Sequence, residues 1–129
     1  VKTKYKIMNT KQNDMISENY VFPEVFRFEN EEQLSECLAP YTAISLMKVM
    51  VSKTINKDFS VKVGEPIAIF EFPLDNDNIM FQSISLPYTE NLIEEQYDRV
   101  MECLIEDEQY EICNSLKNVK YKYDNKINK

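Results

Sequence analysis

A chain of 129 residues with 43% apolar side chains, eight Tyr and seven Phe can bury one sizeable core, which excludes intrinsic disorder and sets a single α+β domain over residues 1–129 as the expectation. The absence of histidine and the single glycine, Gly64, exclude glycine-rich phosphate loops and the imidazole-dependent hydrolase, di-iron and zinc chemistries. A net charge of −7 repels nucleic acid and anionic membranes at long range and favours a basic protein as partner.

Lys4–Met8 and Tyr20–Phe28 are aromatic and β-branched and predict two strands around a polar loop, with Pro23 confining the second to a sheet edge. Asn30, followed by Glu31, Glu32 and Gln33, supplies a helix N-cap and its reciprocal partner just before Leu34, Cys37 and Leu38. Pro40 is expected to end or kink that helix. The next segment, Ile44–Val51, is apolar on nearly every side; its length, Leu46 and the two Met favour helix, while Val49 and Val51 favour a central strand.

Phe59–Val63, Ile67–Phe72 and Ile79–Leu86 predict a meander of three antiparallel strands, turned first at Gly64-Glu65-Pro66 and then at Pro73–Asn78. From Thr89, a good N-cap, the positions Ile93, Tyr97, Val100, Met101, Leu104 and Ile105 follow helical spacing. The phase then slips at Asp107, Glu108 and Glu111, and a second series, Ile112, Leu116 and Val119, takes over. That slip predicts either a kink near Glu106 or a new helix capped by Asp107. Lys117–Lys129 reads as frayed or as an edge strand, with residues 120–129 a loose basic tail. The expected fold is therefore a small antiparallel sheet of four or five strands against two or three helices, with a long acidic C-terminal helix.

Three cysteines, Cys37, Cys103 and Cys113, lack C-x-x-C spacing and read as reduced, small buried hydrophobes of a cytoplasmic protein. The longest uninterrupted apolar run, Ile67–Phe70, is too short to span a bilayer, and neither a secretory signal nor a membrane anchor is expected. Asp75-Asn76-Asp77-Asn78 invites comparison with a calcium loop, yet Met80 stands where the sharp turn needs glycine and Leu86 where a bidentate acid is needed. A hairpin turn is the better reading. Two carboxylates alone suffice for glycosidase chemistry, but so short a chain without Trp is a poor sugar cleft. No catalytic residue, metal ligand or cofactor site is therefore assigned.

Charge is the remaining signal. Thr89–Leu116 carries nine acidic side chains against one basic, Arg99. At 100° per residue, Glu95, Asp98, Glu102 and Glu106 fall within about 80° of one another, opposite Ile93, Val100 and Leu104. Like charges at this spacing repel by a few tenths of a kcal/mol per pair, so the arrangement opposes helix formation. The bland explanation is a solvated face; the sharper one is a docking surface resembling a row of phosphates. These four residues are the partner-binding candidates of a small acidic inhibitor, such as an immunity protein, an antitoxin or a phage-type blocker of a nuclease or other basic nucleic-acid enzyme. The lysine-rich, asparagine-rich usage fits a low-GC bacterium or a phage. Two alternatives stand beside it: a homodimeric secretion or assembly chaperone with an apolar groove, and a single-strand binder using Lys4-Tyr5-Lys6 and Lys120-Tyr121-Lys122-Tyr123. Direct nucleic-acid binding is disfavoured by the charge of the body.

Overall fold

Apolar side chains on every side of a segment leave it no solvent-facing position. In the computed structural model, which describes residues 20–75, 77 and 79–127, Thr42–Val51 lies on one helix, α1 (Glu31–Val51), and every one of those residues is buried. One side of α1 meets a sheet and the other meets two further helices, so α1 is the middle of three layers. Ile44–Val51 is thereby helical. Fully burying side chains such as Leu46, Val49 and Met50 stabilises the fold by about 1.5–3 kcal/mol each.

The helix starts where capping chemistry predicts. Asn30 Oδ1 accepts from the Gln33 N–H at 2.8 Å and Gln33 Oε1 accepts from the Glu29 N–H at 2.6 Å. Pro40, however, does not end the helix: it lies inside α1 with its ring wholly buried. Its ring removes the donor that would reach the Glu36 carbonyl, a loss of up to about 3 kcal/mol in an exposed helix, but here the packed ring and the continued burial beyond it prevail. The last turn widens into a π-helical turn, Ser52–Asn56, closed by Lys57 at φ 56°.

Among the described residues three strands form a mixed sheet in the order β1-β2-β3: Glu24–Arg27 (β1), Pro66–Pro73 (β2) and Phe81–Pro87 (β3). β2 and β3 are the antiparallel hairpin expected, but β1 runs parallel to β2. The meander of three antiparallel strands and the four- or five-stranded sheet are corrected accordingly. Phe59–Val63 is irregular chain, although Phe59 packs edge-on against Phe22 and Tyr88; its β-rich composition served packing without a neighbouring strand to pair with. The Lys4–Met8 strand lies outside the described residues. Strand direction was beyond local pattern, because it follows from α1 carrying the chain back across the sheet before β2 begins.

Gly64 fulfils the one demand for glycine. Its φ is 93°, in a turn closed by the Glu65 N–H to the Lys62 carbonyl at 3.0 Å, a conformation that L side chains rarely adopt. At the far end of the hairpin Asp75 Oδ1 accepts from the Ile79 N–H, the backbone role expected of a turn aspartate.

The outer layer is a helical pair, α2 (Leu92–Glu106) and α3 (Tyr110–Ile127). α2 begins after Asn91, two residues beyond the expected Thr89 cap; the Thr89 hydroxyl donates to Glu95 instead. The helix does not kink at Glu106 but stops there, and α3 starts from the Gln109 carbonyl, which accepts from the Cys113 N–H, so Asp107 is not its cap. Between them, Glu108 adopts φ 58°, its N–H reaches the Ile105 carbonyl at 3.0 Å, and the Gln109 N–H reaches the Leu104 carbonyl at 2.8 Å. This is a Schellman turn with glutamate where glycine is usual. The stretch expected to fray is helical through Ile127, because Ile112, Leu116, Val119 and Tyr123 form an apolar stripe toward α1.

Residues 31–56 are long and apolar enough to cross a membrane by length and composition. Most of that segment is buried by the sheet and by the α2–α3 pair.

Candidate functional site

The acidic face of α2 follows from how the helix must bury its opposite side. Leu92, Ile93, Val100 and Leu104 are buried toward α1, which turns Glu95, Asp98, Glu102 and Glu106 outward, all exposed. Ile105, expected among the buried positions, is 50% exposed at the rim of this face. Among the described residues no lysine or arginine makes an ion pair with any of the four. Glu95 alone is held, by the Thr89 hydroxyl at 2.9 Å. The α2–α3 turn adds Asp107, Glu108 and Glu111, all exposed, at the end of the row; the sequence had already shown them as a break in phase without showing that they continue the same surface. Among the described residues no three Cys, Asp or Glu side chains gather closely enough to hold a metal ion, so the carboxylates are spread along a surface and not collected around a point.

Beside this face, between α1 and α2, runs a groove of about 270 Å³ lined by Ser35, Leu38, Thr42, Gln96, Arg99 and Cys103, among others. Its lining is mixed: Leu38, Ala39 and Val100 stand beside the guanidinium of Arg99 and the carboxylates of Glu36 and Asp107. Cys37 and Cys113 are buried as expected, but Cys103 is exposed, because it lies outside the stripe of Val100 and Leu104 that α2 buries; burial pushes the Cys113 thiol pKa up.

The Lys120–Tyr123 pattern takes a different form on a helix than it would in an extended chain. Lys120 pairs with Asp124 at 2.7 Å and lies over the Tyr97 ring, while Tyr123 is buried. Only Tyr121, 69% exposed, offers a free ring face in that motif, since residues two apart on a helix point to opposite sides. The Lys4-Tyr5-Lys6 motif lies outside the described residues.

One cluster gave no signal in the sequence, since its members come from four separate segments. Lys53, on the π-helical turn, donates to the Tyr88 hydroxyl at 2.8 Å and lies within 5.9 Å of the ring centroids of Phe59, Tyr88 and Tyr123. Burial by itself would lower the ammonium pKa, but the hydrogen bond to Tyr88 and the phenol of Tyr123 outweigh it and the net shift is upward. Burial raises Tyr123 in turn. Tyr97 shifts the same way through burial, against the opposing influence of Lys120. The box ties the end of α1 to α3 and to the chain leaving β3, a cation–aromatic clamp that fixes the outer layer.

No family model matches the chain, and comparison with curated proteins and with solved structures finds no match.

Proposed function

We propose that this protein is a small cytoplasmic inhibitor that binds a basic protein, such as a nuclease or another nucleic-acid enzyme, through the acidic face of α2. The class is that of immunity proteins, antitoxins and phage-type blockers, acting by occupancy alone, with no catalytic residue, metal or cofactor of its own. The observation that carries this reading is the outward row Glu95, Asp98, Glu102 and Glu106, exposed and without ion pairs to described lysines or arginines. Carboxylates about 5–6 Å apart along a helix offer a cationic nucleic-acid groove the spacing and sign of a phosphate row.

The test is inhibition of a panel of purified basic nucleases and nucleic-acid enzymes by the wild type and by the variant carrying Glu95→Lys, Asp98→Lys, Glu102→Lys and Glu106→Lys. At least one enzyme should be inhibited by the wild type, with association slowed tenfold or more and its salt dependence flattened in the reversed variant. Inhibition that survives the reversals unchanged, or none across the panel, would overturn the assignment.

A further inference from the structure

The two edges of the sheet are built in opposite ways. β1 is a four-residue strand bearing Glu24 and Arg27 and preceded by Pro23, a combination of shortness, charge and proline that discourages pairing with another chain. β3 has seven residues, Phe81-Gln-Ser-Ile-Ser-Leu-Pro87, and none is charged. Among the described residues no strand covers its outer edge.

Which backbone groups face outward follows from the hairpin register. The Leu74 N–H donates to the Met80 carbonyl at 2.8 Å, and Phe72 is opposite Gln82, Phe70 opposite Ile84 and Ala68 opposite Leu86. These are the hydrogen-bonded pairs, so Gln82, Ile84 and Leu86 spend their backbone groups on β2. Phe81, Ser83 and Ser85 therefore turn N–H and C=O away from the sheet. Pro73 and Pro87 stand at positions where the hairpin asks for no N–H.

β3 is open on the side that α1 packs against, while on the other side Arg27 lies over the Phe81 ring and the Ser83 hydroxyl donates to Glu71 at 3.3 Å. Phe70, its neighbour on β2, is 1% exposed beneath α1, whereas Ile84 across from it is 45% exposed. α1 covers β2 and leaves β3 beyond its edge. Ile79 and Met80 add exposed apolar surface toward the hairpin tip.

We propose that β3 is a dimerisation edge and that its occupant is a second copy of this chain, paired antiparallel, β3 to β3, about a twofold axis at Ile84. The centre of the strand, Ser83-Ile84-Ser85, is symmetric about that residue. In this register Ser83 of one copy falls opposite Ser85 of the other, Ile84 falls opposite its own twin, and the Phe81 N–H meets the Pro87 carbonyl. Serine–serine and apolar pairs directly across an antiparallel seam are favourable, and like charges there are not. With each copy at −7, an uncharged seam is what allows two copies to meet. The twofold axis stands perpendicular to the sheet, so both copies present the α1-covered face on the same side, and Ile84 is buried in the cleft between the two α1 layers. Among the described residues the guarded β1 edges become the outer edges of a sheet of six strands, so assembly closes at two copies and does not run on into a filament.

Sedimentation of the full chain from micromolar to near-millimolar concentration should give a dimer, and amide exchange should show the Phe81, Ser83 and Ser85 N–H groups protected under dimeric conditions. Ser85→Pro removes an outward N–H that bonds nothing within the sheet, a position where an edge strand tolerates proline, and should weaken dimerisation at least tenfold with unchanged circular dichroism. Ser85→Lys keeps the backbone intact and decides the matter if the proline variant fails to fold. A monomer throughout the concentration range would overturn the proposal. So would a dimer in which those three amides exchange freely, or one that both variants leave intact. This inference is independent of the inhibitor reading, since α2 lies in a different layer and its reversal should leave sedimentation unchanged.

Discussion

α1 and α2 are both helices of ordinary length, but they solve opposite problems. From Thr42 to Val51 α1 has no solvent-facing side and its only buried charge, Lys48, is paired with Glu24 and lies over the Tyr20 ring. α2 buries one narrow stripe and leaves its other side to carboxylates that repel one another. Stability is concentrated where side chains are buried on every side, and the surface free to serve a partner is the one that contributes least to folding.

The sharpest way to break that contrast is Leu46→Ala. Leu46 is wholly buried in the middle layer, and the cavity should cost about 2–5 kcal/mol in urea unfolding. Next is Glu24→Ala, which takes a carboxylate partner from the Lys48 ammonium at an 8%-exposed position; the expected loss is about 1–3 kcal/mol, under the fully buried range because Glu24 keeps part of its side chain in water and Lys48 still lies over the Tyr20 ring. Lys48→Met combined with Glu24→Gln should cost less than Glu24→Ala by the same measurement, since it removes both charges together. Glu108→Gly acts in the opposite direction. Relief of the left-handed backbone at φ 58° should raise stability by about 0.5–1 kcal/mol, visible as a higher denaturation midpoint.

A more gradual effect is expected with pH. Lys53, Tyr97, Cys113 and Tyr123 all have folded pKa values above their ordinary ones, so each releases its proton more readily once the chain unfolds. Their contribution is complete below the unfolded values and is lost as pH climbs through the ordinary thiol and phenol range, about 8.5 to 10, toward the folded values. Urea midpoints should hold from neutral pH to about 8 and fall beyond it; a midpoint still rising above pH 10 would contradict the clamp around Lys53. The smallest effect belongs to α2. Glu102→Gln should change stability by less than about 0.5 kcal/mol, with a gain favoured over a loss, and a larger loss would place that carboxylate in the fold's own support.

Legibility in the sequence tracked exposure. α2 could be read because one side is wet: the spacing Ile93, Val100, Leu104 against Glu95, Asp98, Glu102 exists only where a helix has two different environments. α1 could not, because burial on all sides erases period 3.6 and leaves an apolar run that fits a strand equally well. Pro40 misled for the same reason, as its cost in a solvated helix says little about a helix held from both sides. The helical tail was legible in principle: Tyr123 extends the series Ile112, Leu116, Val119 by four residues, a signal masked by the lysines and asparagines between.

By itself, the sequence determined the α+β class, the capped start of α1, the Gly64 turn, the β2–β3 hairpin and the outward set of α2 carboxylates, all consequences of local backbone chemistry or of a periodicity that one wet face preserves. Tertiary structure alone decided that Ile44–Val51 is helix, that β1 joins the sheet parallel, that Phe59–Val63 stays irregular, and that Lys53 meets three aromatic rings. Each of those depends on which distant segments share a space, and packing between layers is a property of the whole chain that no short window of residues contains.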